Sequence, residues 1–170
     1  MSAPVAVVMG SDSDLPVVRS CLETLDSLGV RYSVQVLSAH RTPKEFHRFA
    51  ESLDESAVKV VIGFAGRAAH LAGVLASLTV RPVIAVPIES GTLQGVDALY
   101  STLQMPSGVP VATMALGKAG AVNAAILAVQ ILALSDEGIH HRLFEHRRKM
   151  TDDVLEKNRR IQADFNSRGG

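Results

Sequence analysis

The sequence predicts an α/β protein: a three-layer α/β/α sandwich around a central parallel sheet, flavodoxin-like, with a long helix added at its C-terminus. Three observations carry this. Short β-branched runs alternate with segments of helical periodicity in the order β-α-β-α-β-α-β-α-β-α. The runs are apolar almost throughout, as strands covered on both faces must be. Aromatic residues make up 4% of the chain and tryptophan is absent, so Val, Ile, Leu and Ala must build the core.

Each element has a local reason. Residues 5–9 are a β-branched run that ends at Gly10. Apolar residues then recur at helical spacing through Val18, Leu22, Leu25 and Leu28, with Ser13 or Asp14 as the expected cap and Pro16 in the first turn. Gly29 ends this helix. Residues 32–37 alternate, which puts Tyr32, Val34 and Val36 on one face of a second strand. A second helix follows Pro43 and turns Phe46, Phe49 and Leu53 inward. Residues 58–64 form a third strand, and an Ala-rich helix runs from about 68 to 78. The fourth strand is 83–86, followed by a loop over 87–95 and a helix over 96–104. The fifth strand is 111–115, and residues 119–134 form a helix too apolar to face water on any broad side.

Composition sets limits on function. Seventeen basic residues balance seventeen acidic ones, so no global field draws the chain to nucleic acid or an anionic membrane. No apolar run approaches membrane-spanning length. No basic leader precedes the first strand, and a single cysteine, Cys21, cannot make an internal disulfide; both lead to the expectation of a cytoplasmic protein. Within one domain, residues 1–135 read as the catalytic α/β unit. Residues 136–170 hold 15 of the chain's charged residues and read as a helix and tail, with Ile139, Leu143, Met150 and Leu155 along it. Its acids and bases interleave, so a solvated or partner-packing helix is expected rather than a basic arm.

Polar, glycine-rich segments follow strands one, two and three, where parallel sheets bind ligands. Gly10-Ser11-Asp12-Ser13-Asp14 opens a helix: free N–H groups and two hydroxyls suit a phosphate, and a carboxylate there can hold ribose hydroxyls. The same residues also make an ordinary capped turn. The segment is not GxGxxG, and Asp12 would repel a phosphate close by, which disfavours a dinucleotide. In Ser38-Ala39-His40-Arg41-Thr42-Pro43, Arg41 offers a fork of donors to an anion and His40 can exchange protons near neutral pH. Small residues at Ala65, Gly66, Ala68 and Ala69 admit a ligand close to the backbone, with His70 beside them. Lys118, in Gly117-Lys118-Ala119-Gly120-Ala121, is either a phosphate contact or part of a subunit contact. No metal cluster emerges: His140, His141 and His146 read as solvated, and Cys21 as a buried small residue.

Taken together, Val7-Val8-Met9-Gly10-Ser11-Asp12-Ser13-Asp14, Ser38-Ala39-His40-Arg41-Thr42-Pro43, Ala68-Ala69-His70-Leu71, Gln104-Met105-Pro106 and Gly117-Lys118-Ala119-Gly120-Ala121 closely resemble the PurE family of purine biosynthesis, in the same order and over roughly residues 4–157. The resemblance implies a mutase that moves a carboxylate from the exocyclic N5 of N5-carboxyaminoimidazole ribonucleotide to ring carbon C4, giving 4-carboxy-5-aminoimidazole ribonucleotide. It implies a homo-octamer without metal or organic cofactor, in which the C-terminal helix reaches neighbouring subunits. It also implies a functional link to the ATP-dependent synthetase that makes the substrate. By matching position, Ser11, Asp14, Ser38 and Arg41 would hold the ribose phosphate, with Asp12, Ser13, Ala39 and Lys118 adjoining. His40 would be the general acid–base. His70 would be the second catalytic residue and, with Ala65, Gly66, Ala68 and Ala69, would line the pocket for the base and the migrating carboxylate.

The sequence departs from that family's usual bacterial pattern at Phe64, Arg67 and Ala72. Ala65-Gly66-Arg67 is similar instead to the animal and spirochaete branch, which carboxylates 5-aminoimidazole ribonucleotide directly with CO2. Direct carboxylation is thus the alternative reaction, and a nucleotide-binding module without catalysis is the alternative of another class.

Overall fold

The computed structural model describes residues 3–168; positions 1–2 and the last two residues of the 136–170 tail lie outside them. The elements are β1 (Val5–Met9), a 3-10 turn (Asp12–Asp14), α1 (Leu15–Ser27), β2 (Tyr32–Val36), α2 (Pro43–Ser52), β3 (Val60–Gly66), α3 (Leu71–Leu78), β4 (Val83–Ile88), α4 (Val96–Leu103), β5 (Ala112–Thr113), α5 (Gly117–Ala133) and α6 (Glu137–Arg168). The strands form one parallel sheet in the order β2-β1-β3-β4-β5. The expected α/β/α sandwich is the fold.

Alternation along β1 divides the core. Val5, Val7 and Met9 join Val18, Cys21 and Leu25 of α1 and the alanines of α5 in one layer. Ala6 and Val8 join Phe46 of α2 and Leu71, Ala72 and Leu75 of α3 in the other. Cys21 is fully buried, and burial pushes its thiol up to about 12. It is a packing residue, as expected. Phe64 and Ala72 also serve the core: Phe64 fills the α1–α5 layer and Ala72 the α2–α3 layer.

Chain order reverses direction across the sheet at β1, which has β2 on one side and β3 on the other. Register aligns their carboxyl ends, since Met9 is level with Val36 and with Phe64. The Leu37 N–H donates to Met9 O at 2.9 Å and the Gly10 N–H to Phe64 O at 3.1 Å. Three polar loops therefore start at one height, at the switch point where such sheets bind ligands.

Several boundaries differ from the sequence reading, each for a physical reason. The first helix is capped a turn early, by Ser11, because a 3-10 turn intervenes before α1. The Asp14 side chain makes no cap bond to α1. Strand β4 runs on through Pro87 and Ile88. Proline is tolerated there because β5 pairs only with Ile84 and Ala85, so no partner awaits a Pro87 N–H. Helix α3 starts at Leu71, which puts His70 at its cap. Val34 and Val36 stay exposed although they are level with Val7 and Met9, because β2 is an edge strand.

Asp136 caps α6, its Oδ1 accepting from the Ile139 N–H at 3.0 Å. Arg142 Nε donates to Leu28 O at 2.7 Å and so ties α6 to the end of α1. Beyond Arg142 the helix leaves Phe144, Met150, Val154, Leu155, Ile161 and Phe165 exposed. Among the described residues, no helix is long and apolar enough to cross a membrane.

The start of α5 depends on Gly120, where an added Cβ would lie 1.7 Å from the carbonyl oxygen of Ala115. Backbone must move to relieve that contact. Gly120→Ala should lower the urea midpoint by an amount equivalent to about 3 kcal/mol of stability. An unchanged midpoint would contradict this packing.

Candidate active site

The loop after β1 is organised by its own side chains. Ser11 Oγ accepts from the Ser13 N–H at 3.3 Å, and Asp14 Oδ2 accepts in return from the Ser11 N–H at 3.2 Å. This reciprocal box fixes both residues at the entrance to α1. The Ser13 hydroxyl donates to Ser11 Oγ at 2.9 Å, so two hydroxyls sit together. Burial pushes the Asp14 carboxyl above its ordinary value, against the hydrogen bonds from Ser11 and Ser13.

The loop after β2 closes on itself. The Thr42 N–H donates to Ser38 O at 2.9 Å, the Ser38 N–H to Thr42 Oγ1 at 3.0 Å, and the Arg41 N–H to Ser38 Oγ at 3.1 Å. This turn lifts His40 and Arg41 outward. Arg41 Nη2 then donates to Gly10 O at 3.2 Å, which joins the second loop to the first.

The third loop leaves β3 at Gly66. Here a Cβ would fall 2.3 Å from Ser90 Oγ and 3.2 Å from Ile88 O, so the glycine lets the Ser90 turn lie close without displacing either. Arg67 takes a left-handed backbone, with φ +55°. That conformation costs a non-glycine residue about 1 kcal/mol. It redirects the chain so that His70 arrives at the start of α3, opposite His40. His40 Nε2 and His70 Nδ1 are 3.0 Å apart, with the rings edge to face. One nitrogen must donate and the other accept, so the two rings share a single proton on that axis.

These loops enclose a cleft of about 580 Å³, a size that suits a ribonucleotide. It brings together Ser11, Ser13, Asp14, Ser38, Ala39, His40, Arg41, Ala65, Gly66, Ala68 and His70, all singled out in the sequence. Three other candidates do not line it. Asp12 is exposed and its Oδ1 accepts from the Ser13 N–H at 3.0 Å, a turn-forming role. Ala69 is buried beneath the loop. Lys118 stands exposed in the first turn of α5, and the glycine two residues on is explained by packing against Ala115.

The cleft also holds Gly10, Arg67, Leu71 and Ser90, which were not among the candidate site residues. Ser90 follows β4, so the same carboxyl-end rule that marked the first three loops could have found it. Of the three departures from the family pattern, only Arg67 reaches the cleft. Among the described residues, no group of three or more His, Cys, Asp or Glu is placed to hold a metal ion.

Comparison with known proteins agrees with this geometry. The family model described as AIR carboxylase matches residues 4–153. The N5-carboxyaminoimidazole ribonucleotide mutase of Escherichia coli K12 is 52% identical over 91% of each chain. The protein of the same name from Haemophilus influenzae is 49% identical over 91% of this chain and 94% of its own. The crystal structure of Treponema denticola PurE superposes with a TM-score of 0.84 at 28% identity, covering 92% of this chain and 97% of that one. Motifs, fold and cleft thus converge on one conclusion, that the chain belongs to the AIR carboxylase (PurE) family.

Proposed function

We propose that this chain is a mutase that converts N5-carboxyaminoimidazole ribonucleotide to 4-carboxy-5-aminoimidazole ribonucleotide in purine biosynthesis. The observation that carries the reading is the His40–His70 contact at a cleft that is also lined by small residues, hydroxyls and Arg41. The relatives bearing the mutase name from Escherichia coli and Haemophilus influenzae are 52% and 49% identical, while the spirochaete PurE structure is 28% identical. Direct carboxylation of 5-aminoimidazole ribonucleotide with CO2 is therefore the less favoured reaction.

The chemistry follows from the residues. Ser11, Ser13, Ser38 and Arg41 hold the ribose phosphate, which fixes the imidazole ring against the third loop. His40 as imidazolium donates its proton to N5. The N5–carboxylate bond breaks, its electrons stay on nitrogen, and CO2 is released. The small side chains of Ala65, Gly66 and Ala68 keep CO2 close and exclude water. Carbon C4 attacks CO2, and neutral His40 removes the C4 proton. The proton count closes, so the site returns to its starting state. His70 holds the His40 ring in place and shares its proton. A side chain that gives a proton and takes one back works best with an affinity near neutral pH, which imidazole has as a residue type.

The chain acts as a homo-octamer, with the 136–170 segment packed on neighbouring copies. The spacing of apolar residues on α6 supports this: a stripe starts at Ile139 and Leu143, which pack on the core, and continues through Met150, Val154, Ile161 and Phe165, which are exposed. Ile139, Met150 and Ile161 recur every eleven residues, as do Leu143, Val154 and Phe165. An eleven-residue period keeps a nearly straight stripe along a helix. The protein works in the cytoplasm, beside the ATP-dependent synthetase that makes its substrate, because an N-carbamate that loses CO2 readily must be used near its source.

Three outcomes test this reading. His40→Asn should bind the nucleotide and yet lose at least about 10²-fold in turnover of N5-carboxyaminoimidazole ribonucleotide; retained activity would remove His40 as the acid–base. Light scattering should give eight copies for the native chain and fewer for a Val154→Asp, Phe165→Asp double variant, and a monomeric native chain would count against the assembly. The third concerns Asp14, whose folded proton affinity is raised. Protonation then favours the fold fully below about pH 4, and that contribution is lost as pH rises through the folded value. Native protein should lose stability relative to Asp14→Asn between pH 4 and pH 7, whereas a constant difference would contradict the burial of this carboxyl.

A further inference from the structure

The mutase substrate has two anionic ends, a phosphate and a carboxylate, and the cleft contains two guanidinium groups. Arg41 is already engaged, on Gly10 O and beside Ser38. Arg67 lines the same cleft, yet it makes no ion pair and no side-chain hydrogen bond among the described residues. Its position is built into the loop. The left-handed backbone at Arg67 sends the side chain toward Gly91, where an added Cβ would lie 3.8 Å from Arg67 Nε. Gly91 is itself left-handed, with φ +70°.

A second donor waits beside it. The Ser90 hydroxyl is buried without a hydrogen-bond partner, and Ser90 lines the cleft next to Gly66. A buried hydroxyl left unpaired calls for an explanation. A carboxylate supplies one, since its oxygens can accept from the hydroxyl and from the planar guanidinium fork together.

We propose that Arg67 and Ser90 form the subsite for the migrating carboxylate and set the preference for carboxylated over uncarboxylated imidazole ribonucleotide. This rests on the mutase reading. The subsite is distinct in role from the histidines: it holds the carboxyl group on N5 in the substrate and on C4 in the product, and it moves no proton. The nucleotide that lacks the carboxylate, 5-aminoimidazole ribonucleotide, leaves both donors unused.

Calorimetric titration of the full chain with 4-carboxy-5-aminoimidazole ribonucleotide and, separately, with 5-aminoimidazole ribonucleotide tests this. Arg67→Asn keeps a residue that tolerates the left-handed backbone and removes the charge. It should weaken binding of the carboxylated nucleotide by about 10- to 100-fold, and Ser90→Ala should weaken it by about tenfold. Binding of 5-aminoimidazole ribonucleotide should stay within about threefold, the size of a background change. Equal weakening of both nucleotides would make Arg67 a general electrostatic contributor and overturn the subsite. No change in either would place its function elsewhere, at a subunit contact, and overturn it too. Both of those results leave the mutase reading intact. Native protein that binds neither nucleotide would overturn that reading and the subsite with it.

Discussion

The register of β1 between β2 and β3 is the constraint on which the site depends. Parallel pairing sets Met9 level with Val36 and Phe64, and two backbone hydrogen bonds, from Leu37 to Met9 and from Gly10 to Phe64, carry that alignment one residue beyond the strands. Three loops far apart in sequence then open at one height. A slip of one residue would turn every side chain of β1 to the opposite layer. It would mix Val5, Val7 and Met9 with the α2–α3 core and separate Arg41 from Gly10. The alternating core is therefore what holds the three loops of the cleft in place.

The histidine pair shows what this alignment makes possible. His40 and His70 lie thirty residues apart on separate loops, yet their ring nitrogens meet at 3.0 Å. Neither ring is held by a carboxylate in this contact, so the proton is shared between groups of one kind. That suits a reaction that needs a proton delivered to one atom and recovered from another. The rest of the cleft divides by size and charge. Ser11, Ser13, Ser38 and Arg41 line it from the first two loops, and Ala65, Gly66 and Ala68 from the end of β3 and the third. The proposed carboxylate subsite would complete this division with a second cationic corner.

Much of this was legible in the sequence because it rests on local chemistry. Residues 5–9 form a strand since β-branched residues fill a buried strand from end to end, and His40, Arg41 and Ser38 stand out as polar residues after a strand. What the sequence did not disclose depends on neighbours distant along the chain. The alternation of Tyr32, Val34 and Val36 identified a strand, but only the strand order makes β2 an edge whose valines stay exposed. The cap at Ser11 depends on a 3-10 turn that Ser13 and Asp14 could equally have replaced. Ser90 gained its place through Gly66, whose missing side chain brings two loop ends together. Arg67 drew notice as a departure from the family pattern, but its lack of a carboxylate partner is visible only in three dimensions.

The central claim is that the chain rearranges an existing carboxyl group rather than fixing CO2 from solution. Product formation by purified native protein tests it most directly, with two substrates followed in parallel. One reaction contains N5-carboxyaminoimidazole ribonucleotide, the other 5-aminoimidazole ribonucleotide with bicarbonate at modest concentration. The mutase account predicts fast formation of 4-carboxy-5-aminoimidazole ribonucleotide from the first alone. Fast formation from the second would contradict it and make the chain a direct carboxylase.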